Sequence, residues 1–147
     1  MAKQKTPQTS VEVPTNYTLC IKGDCPKAAM CLRYKATLMI PADVMKWSIL
    51  SPAYLAQTEG ECPHYRTAEK VRYARGFVRM MSSLTMNQAH VVKDNIVATF
   101  GMNMYYRMRR GDRLITPTEQ ETIYQMLEQQ GVTARPEFDA YVEDYLW

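Results

Sequence analysis

Three cysteines lie within twelve residues of this chain, at Cys20, Cys25 and Cys31, and a fourth follows at Cys62. His64 stands two residues after the last of them. A structural zinc site needs four thiolate or imidazole ligands in a closed tetrahedron. The four cysteines are therefore candidate zinc ligands, with His64 as a candidate substitute. The same cysteines could instead hold a 4Fe–4S cluster, because Cys-Pro pairs are frequent around such clusters.

The cysteine spacing leaves other interpretations open. Free buried thiols, or disulfides, would need no metal, because a reduced cysteine packs as a small hydrophobic group. Residues 26–36 are predicted to form a helix with Pro26 at its first position, which would put Cys25 at the helix N-terminus. The helix dipole favours a thiolate there, so Cys25 is also a candidate nucleophile. Cys31 would lie about 1.7 turns further on, so both thiols reach one metal only if this helix is short or distorted.

The rest of the chain offers little that is typical of catalysis. It contains no Gly-rich phosphate loop, nucleophile elbow or HExxH motif. The other histidine, His90, is interpreted as an ordinary surface or boundary residue. We therefore expect a non-enzymatic binding or adaptor protein with a structural zinc site. An iron–sulfur redox or sensing protein that uses the same cysteines is the alternative.

Two segments interleave basic and aromatic residues, a mixture suited to nucleic acid because arginines contact phosphates and rings stack on bases. The candidate residues for binding nucleic acid or another partner are Arg66, Lys70, Arg72, Arg75, Arg79, Tyr105, Arg107, Arg109 and Arg110. Residues 1–116 hold seventeen Lys and Arg against eight Asp and Glu, whereas residues 117–147 hold one against seven. An acidic protein is therefore a second candidate partner. Alternatively, the acidic segment packs against the basic body.

Helix and strand patterns divide the chain into a loop-rich first part and a helical second part. Residues 46–50 are predicted to form a short strand, and helices are predicted over 67–81, over 85–99, from Thr116 to Gly131 and from Pro136 onward. The second and third of these helices start at capping sequences, Thr85 with Gln88 and Thr116 with Glu119. Residues 102–115 fit either a hairpin or a helix that ends at Gly111.

These elements predict a helix-rich α+β fold, in which an N-terminal loop-rich four-cysteine metal module packs on a helical body. The expected organisation is a flexible tail over 1–16, the cysteine module over 17–66, and a body over 67–147 with acidic C-terminal helices. The polar first residues lack the apolar segment of a secretory signal, and no run is long enough to span a membrane. We therefore expect a cytoplasmic protein, where reduced thiols favour metal over disulfides.

One series of motifs resembles a known family. The motifs are Cys25-Pro26, Cys31-Leu32-Arg33-Tyr34, Cys62-Pro63-His64-Tyr65-Arg66, Arg75-Gly76-Phe77, Ile115-Thr116-Pro117-x-Glu119-Gln120 and Phe138-Asp139-x-Tyr141. Together, over about residues 17–147, they are similar to a family of small bacterial proteins known only as a domain of unknown function. The resemblance implies no activity. It suggests that the cysteines and the Arg/Tyr segments belong to one architecture.

Overall fold

The computed structural model describes residues 12–147, which fold into two compact units. Unit 1 runs to Lys70 and also includes Tyr145–Trp147, whereas unit 2 is Val71–Asp144. The helices and strands of the described residues are α1 (Leu32–Thr37), α2 (Pro52–Gln57), β1 (Lys70–Arg75), α3 (Val78–Ser82), α4 (Met86–Phe100), α5 (Met102–Arg110), α6 (Pro117–Gln129) and β2 (Ala140–Tyr145). This mixture of helices and a small sheet confirms the α+β class. No helix within residues 12–147 is long and apolar enough to cross a membrane.

Unit 1 is rich in loops and has a small core. Its buried cluster consists of Tyr17, Leu19, Leu32, Ala36 and Tyr145. Two isolated bridges hold its loops together, a parallel one between Leu19 and Ile49 and an antiparallel one between Cys31 and Thr67. The strand predicted over 46–50 is thus reduced to a single bridge. Few regular hydrogen bonds therefore stabilise the segments that carry the cysteines.

The helix predicted over 26–36 is broken at Cys31. Ala28–Met30 forms a single 3₁₀ turn, Cys31 is extended with φ −90° and ψ 122°, and α1 starts only at Leu32. The break allows the backbone to pair with the segment after the fourth cysteine. The amide of Leu32 donates to the carbonyl of Arg66 at 2.7 Å, next to the bridge between Cys31 and Thr67. The helix is therefore distorted between Cys25 and Cys31, which is a condition for both thiols to reach one metal.

The described part of the predicted tail packs in part against unit 1, and one helix was not predicted. Residues 1–11 of the predicted tail lie outside the described residues. Within the rest of it, Val13 packs against the core of unit 1. Helix α2 was missed, although its start is encoded locally: Ser51 caps it by accepting a hydrogen bond from the amide of Tyr54, and Pro52 is its first residue.

Unit 2 is built around α4, α5 and α6. Its largest fully buried side chains are Phe77, Phe138, Met80, Ile96, Met108, Ile115, Ile123, Leu127 and Val92. The capping box predicted at Thr85 is formed, and the helix start predicted at Thr116 is also a capping box, so the starts of α4 and α6 are confirmed. Residues 102–110 form a helix rather than a hairpin, and it ends at Gly111, whose positive φ of 83° favours glycine.

Two predicted helices were wrong. The middle of the segment 67–81 forms strand β1, and only its last four residues lie in α3. The segment after Pro136 forms strand β2 instead of a second acidic helix. The two strands pair in a two-stranded sheet. Both contain tyrosines, which favour strands, and Gly76 with φ 75° ends the extended stretch before α3. A pairing across more than sixty residues overrode the local helical periodicity.

Candidate functional site

All four cysteines of the chain line one cavity in unit 1. The cavity has a volume of about 220 Å³, and His64 is also part of its wall. The four cysteines are free thiols and each is half-buried. The cavity is smaller than the clefts of roughly 300–1,000 Å³ that hold drug-sized ligands. It is suited to an ion, a metal cluster or a small fragment.

Backbone contacts position Cys20 and Cys31. The amide of Cys20 donates to the carbonyl of Arg33 at 3.2 Å, and its own carbonyl accepts from the Thr37 hydroxyl at 3.0 Å. Cys31 is held by its bridge to Thr67 and by accepting a hydrogen bond from the amide of Lys35 at 2.9 Å. Helix α1 therefore fixes both cysteines, one just before it and one beside it.

Arg33 joins three of the segments that form the cavity. Its Nε donates to the carbonyl of His64 at 2.8 Å, and its Nη1 donates to the carbonyl of Thr18 at 2.7 Å. The guanidinium also lies 5.0 Å from the ring centre of Tyr17. Burial raises the pKa of Tyr17, although the charge of Arg33 acts to lower it. The Tyr17 hydroxyl is buried and has no hydrogen-bond partner among the described residues.

Cys25 and Cys62 lie in turns. The amide of Cys25 donates to the carbonyl of Lys22 at 3.3 Å, and the carbonyl of Cys62 accepts from the amide of Tyr65 at 3.2 Å. The prediction that Cys25 begins a helix was wrong, because the 3₁₀ turn starts at Ala28. The dipole argument for a Cys25 nucleophile is therefore lost.

The thiols share a cavity without forming a closed metal site. Among residues 12–147, no three His, Cys, Asp or Glu side chains are grouped closely enough to hold a metal ion. His64 makes an edge contact with Tyr54, with ring centres 5.6 Å apart. The donor set suits zinc or an iron–sulfur cluster chemically. Binding a single Zn²⁺ would require the thiols to move together.

The predicted basic surface is divided between the units. Arg66 and Lys70 belong to unit 1, and the remaining candidates belong to unit 2. Four of the latter make contacts within unit 2. Arg72 lies 3.7 Å from the ring centre of Tyr141, and Arg75 donates to the carbonyl of Gly111 at 3.1 Å. Arg79 lies 3.5 Å from Asp139, and Arg110 lies 3.0 Å from Asp112. These arginines contribute to the fold, so their charges are only partly available to a partner.

The match to a known family covers residues 1–147. The chain belongs to the family of unknown function DUF6078. The resemblance predicted from the sequence is thereby confirmed, and membership in DUF6078 assigns no activity. Comparison with the curated proteins and with the solved structures gave no match.

A groove in unit 2 collects residues that sequence analysis mostly missed. It has a volume of about 420 Å³, and its walls include Tyr105 and Arg109 together with His90, Lys93 and Tyr106. Arg109 is one turn after Tyr105 on α5, whereas Arg107 projects from the other side of that helix. His90 and Lys93 could have been found from their i, i+3 spacing on α4. The groove was not predicted because its other wall, α5, was only one of two alternatives for residues 102–115.

Proposed function

We propose that unit 1 is a thiolate metal-binding module and that the protein has a non-enzymatic binding role. In this proposal Cys20, Cys25, Cys31 and Cys62 hold one Zn²⁺, and His64 is a substitute ligand. The observation that carries the proposal is that every cysteine of the chain lines the same cavity, although the four are spread over more than forty residues. Four free thiols that served only as small apolar groups would have no reason to converge.

The charges around the cavity suit such a site. Zn²⁺ with four thiolates carries a net charge of −2, which is costly to bury without compensation. Lys22, Lys27 and Arg33 line the same cavity, against a single acid, Glu61. Glu61 lies 3.4 Å from Lys27, so it offsets one of these cations. The remaining positive charge is available to the thiolates.

The weak core of unit 1 gives the metal a structural purpose. Loops that bury few apolar side chains do not fold stably on their own, and a metal can supply the missing free energy. The buried cluster of unit 1 has five members, and α1 and α2 are only six residues each. A metal at the cavity would join the Cys20, Cys31 and Cys62 segments, which Arg33 already connects through the backbone.

An iron–sulfur cluster is the second candidate for the same cavity. Zn–S bonds of about 2.3 Å require closely grouped sulfurs, whereas a multinuclear cluster accepts cysteines that lie further apart. The observation that favours the cluster is that the described thiols are not grouped for a single ion. The two candidates differ in colour and oxygen sensitivity, so one preparation distinguishes them.

Cobalt titration of the reduced protein tests the proposal. Tetrahedral Co²⁺ bound by thiolates absorbs in the visible and near-ultraviolet, and Zn²⁺ displaces it because zinc binds such sites more tightly. We expect saturation at one Co²⁺ per chain, followed by loss of the bands on addition of one Zn²⁺. Cys20→Ser, Cys31→Ser and Cys62→Ser should each weaken binding, and Lys46→Ala, on an exposed side chain of unit 1, should not. Thiolate bands that persist unchanged in all three serine variants would contradict the proposal.

A further inference from the structure

The groove in unit 2 lies between α4 and α5 and has a cationic, aromatic lining. The charged and aromatic residues that line it are His90, Lys93, Tyr105, Tyr106 and Arg109. His90 is paired with Asp94 at 3.3 Å, one helical turn further along α4. No carboxylate is among the described residues that line the groove. An anionic ligand would therefore meet Lys93 and Arg109 without a competing acid in the wall.

Arg109 carries an unused donor. Its Nε is buried and has no hydrogen-bond partner among residues 12–147. A buried donor without an acceptor costs free energy, and most such groups in folded proteins are satisfied. By contrast, the Nε atoms of Arg75 and Arg110 both donate to acceptors within unit 2. Arg109 also lines the groove, and phosphate oxygens match a guanidinium well.

The aromatic side of the groove is arranged around Lys93. Its Nζ lies 5.7 Å from the ring centre of Tyr105 and 5.6 Å from that of Tyr106, and it is 3.5 Å from the Tyr106 hydroxyl. The two rings meet edge to face, with centres 5.1 Å apart. Tyr105 is buried, whereas Tyr106 is 37% exposed. Tyr106 therefore offers a ring on which a planar group could stack, next to the cations.

We propose that this groove binds a nucleotide, with its phosphate on Arg109 and Lys93 and its base stacked on Tyr106. The nucleotide could be free or part of a single strand, because both present the same phosphate and base. The proposal narrows the nucleic-acid surface expected from the sequence to one groove and adds Lys93 and Tyr106 to it. It concerns unit 2 and does not depend on metal binding in unit 1, so the two are tested separately.

Binding is measured with the full-length protein and a fluorescein-labelled oligothymidylate of about twelve nucleotides, by fluorescence anisotropy. We expect salt-sensitive binding that Arg109→Gln weakens about tenfold or more, because a charged hydrogen bond is lost. Arg107→Gln is the matched control, since it removes the same charge from the other side of α5 and should weaken binding less than about twofold. Lys93→Gln and Tyr106→Ala should also weaken binding, and Tyr106→Phe should retain more of it than Tyr106→Ala, because it keeps the ring. Far-ultraviolet circular dichroism verifies that each variant is folded.

Competition with AMP identifies the source of the nucleotide. Displacement of the oligonucleotide by AMP, lost in Arg109→Gln, would support a free nucleotide as ligand. Oligonucleotide binding that depends on Arg109 but resists AMP would support a single strand. Equal weakening by Arg107→Gln and Arg109→Gln would overturn the proposal, because it would reduce binding to diffuse charge. Absence of binding to both probes by the folded protein would overturn it as well. If Arg109→Gln does not fold, Lys93→Gln takes its place, and weakening no greater than that caused by Arg107→Gln would overturn the proposal.

Discussion

The Nε of Arg33 donates a hydrogen bond of 2.8 Å to the backbone carbonyl of His64. The same guanidinium donates to the carbonyl of Thr18 at 2.7 Å. Arg33 stands two residues after Cys31, so one side chain joins the neighbourhoods of three cysteines. The cavity in unit 1 is thus organised by backbone acceptors around an arginine, before any metal is considered.

Replacing Arg33 by Met should therefore loosen unit 1 selectively. The variant keeps the apolar stem but leaves two carbonyls without their charged donor, which we expect to cost about 1–3 kcal/mol of unfolding free energy. Both tryptophans, Trp47 and Trp147, pack against the core of unit 1, so urea unfolding followed by tryptophan fluorescence reports on it. Lys35→Met, on an exposed side chain of the same helix, is the control. Equal losses in both variants would refute the organising role of Arg33.

The capping box of α6 gives a second prediction. The hydroxyl of Thr116 accepts a hydrogen bond from the amide of Glu119, and the Glu119 carboxylate accepts one from the amide of Thr116. Thr116→Ala should cost about 1 kcal/mol, because an N-terminal amide of the helix loses its acceptor. Thr118→Ala, at an exposed position of the same turn, should be close to neutral. Urea unfolding followed by far-ultraviolet circular dichroism measures both, and a similar loss in both would argue against the cap.

Glu119 should also make the stability of unit 2 sensitive to acid. Burial acts to raise the pKa of this carboxyl, but hydrogen bonds from Arg113, at 2.8 and 2.9 Å, and from Thr116 lower it below its ordinary value. Since the folded-state pKa is lower than the unfolded one of about 4.3, the carboxylate stabilises the fold fully above that pH. The contribution is lost as the pH falls through the folded-state pKa.

The test compares Glu119→Gln with the wild type between pH 7 and pH 3. The variant should be less stable at neutral pH, and the difference should shrink as the solution becomes acidic. Glu143→Gln, on an exposed side chain of β2, is the control and should keep a small, constant difference from the wild type. A Glu119→Gln difference that stays constant down to pH 3 would contradict the assigned ion pair.

Gly76 gives a steric prediction. A Cβ atom there would lie 2.8 Å from a carboxylate oxygen of Asp139 and 3.3 Å from the carbonyl of Arg109. That carboxylate accepts hydrogen bonds from the amides of Val78 and Arg79 at 2.8 and 3.0 Å, so it cannot move without uncapping α3. Gly76→Ala should therefore destabilise unit 2 by about 1–3 kcal/mol through overpacking, in addition to the cost of its positive φ.

Gly131→Ala is the matched control for Gly76→Ala. Gly131, also in unit 2, has a similar positive φ of 80°, but a Cβ there meets nothing within 4 Å. The control variant bears the conformational cost alone, so it should lose less stability in the same circular dichroism experiment. Equal losses would show that the contact with Asp139 carries no energetic weight.

The sequence predicts local chemistry better than long-range pairing. The starts of α4 and α6 were predicted correctly because both partners of a capping box lie within four residues. Strands β1 and β2 were missed because each is stabilised by a partner far along the chain. The segments 67–81 and 136–147 also contain apolar residues at helical spacing, and only the fold shows that pairing prevailed.

The candidate sites divide in the same way. The number and spacing of the cysteines predicted a common site, and in the structure all four line one cavity. The extended conformation of Cys31 depends on its bridge to Thr67, and Arg33 contacts Thr18 and His64, which are 15 and 31 positions away. These contacts lie beyond local sequence patterns. The groove of unit 2 was hidden for a related reason, because it exists only if residues 102–110 form a helix.

The most direct test of the metal module is the metal content of the protein purified without oxygen or chelators. Zinc and iron are measured by elemental analysis, and a visible spectrum is recorded on the same sample. We expect about one zinc ion per chain, no visible absorption, and loss of the zinc in Cys31→Ser and Cys62→Ser. Iron together with visible absorption would indicate that the same thiols bind an iron–sulfur cluster instead of zinc. A protein that contains neither metal, and that is no more stable to unfolding than its serine variants, would contradict the metal module.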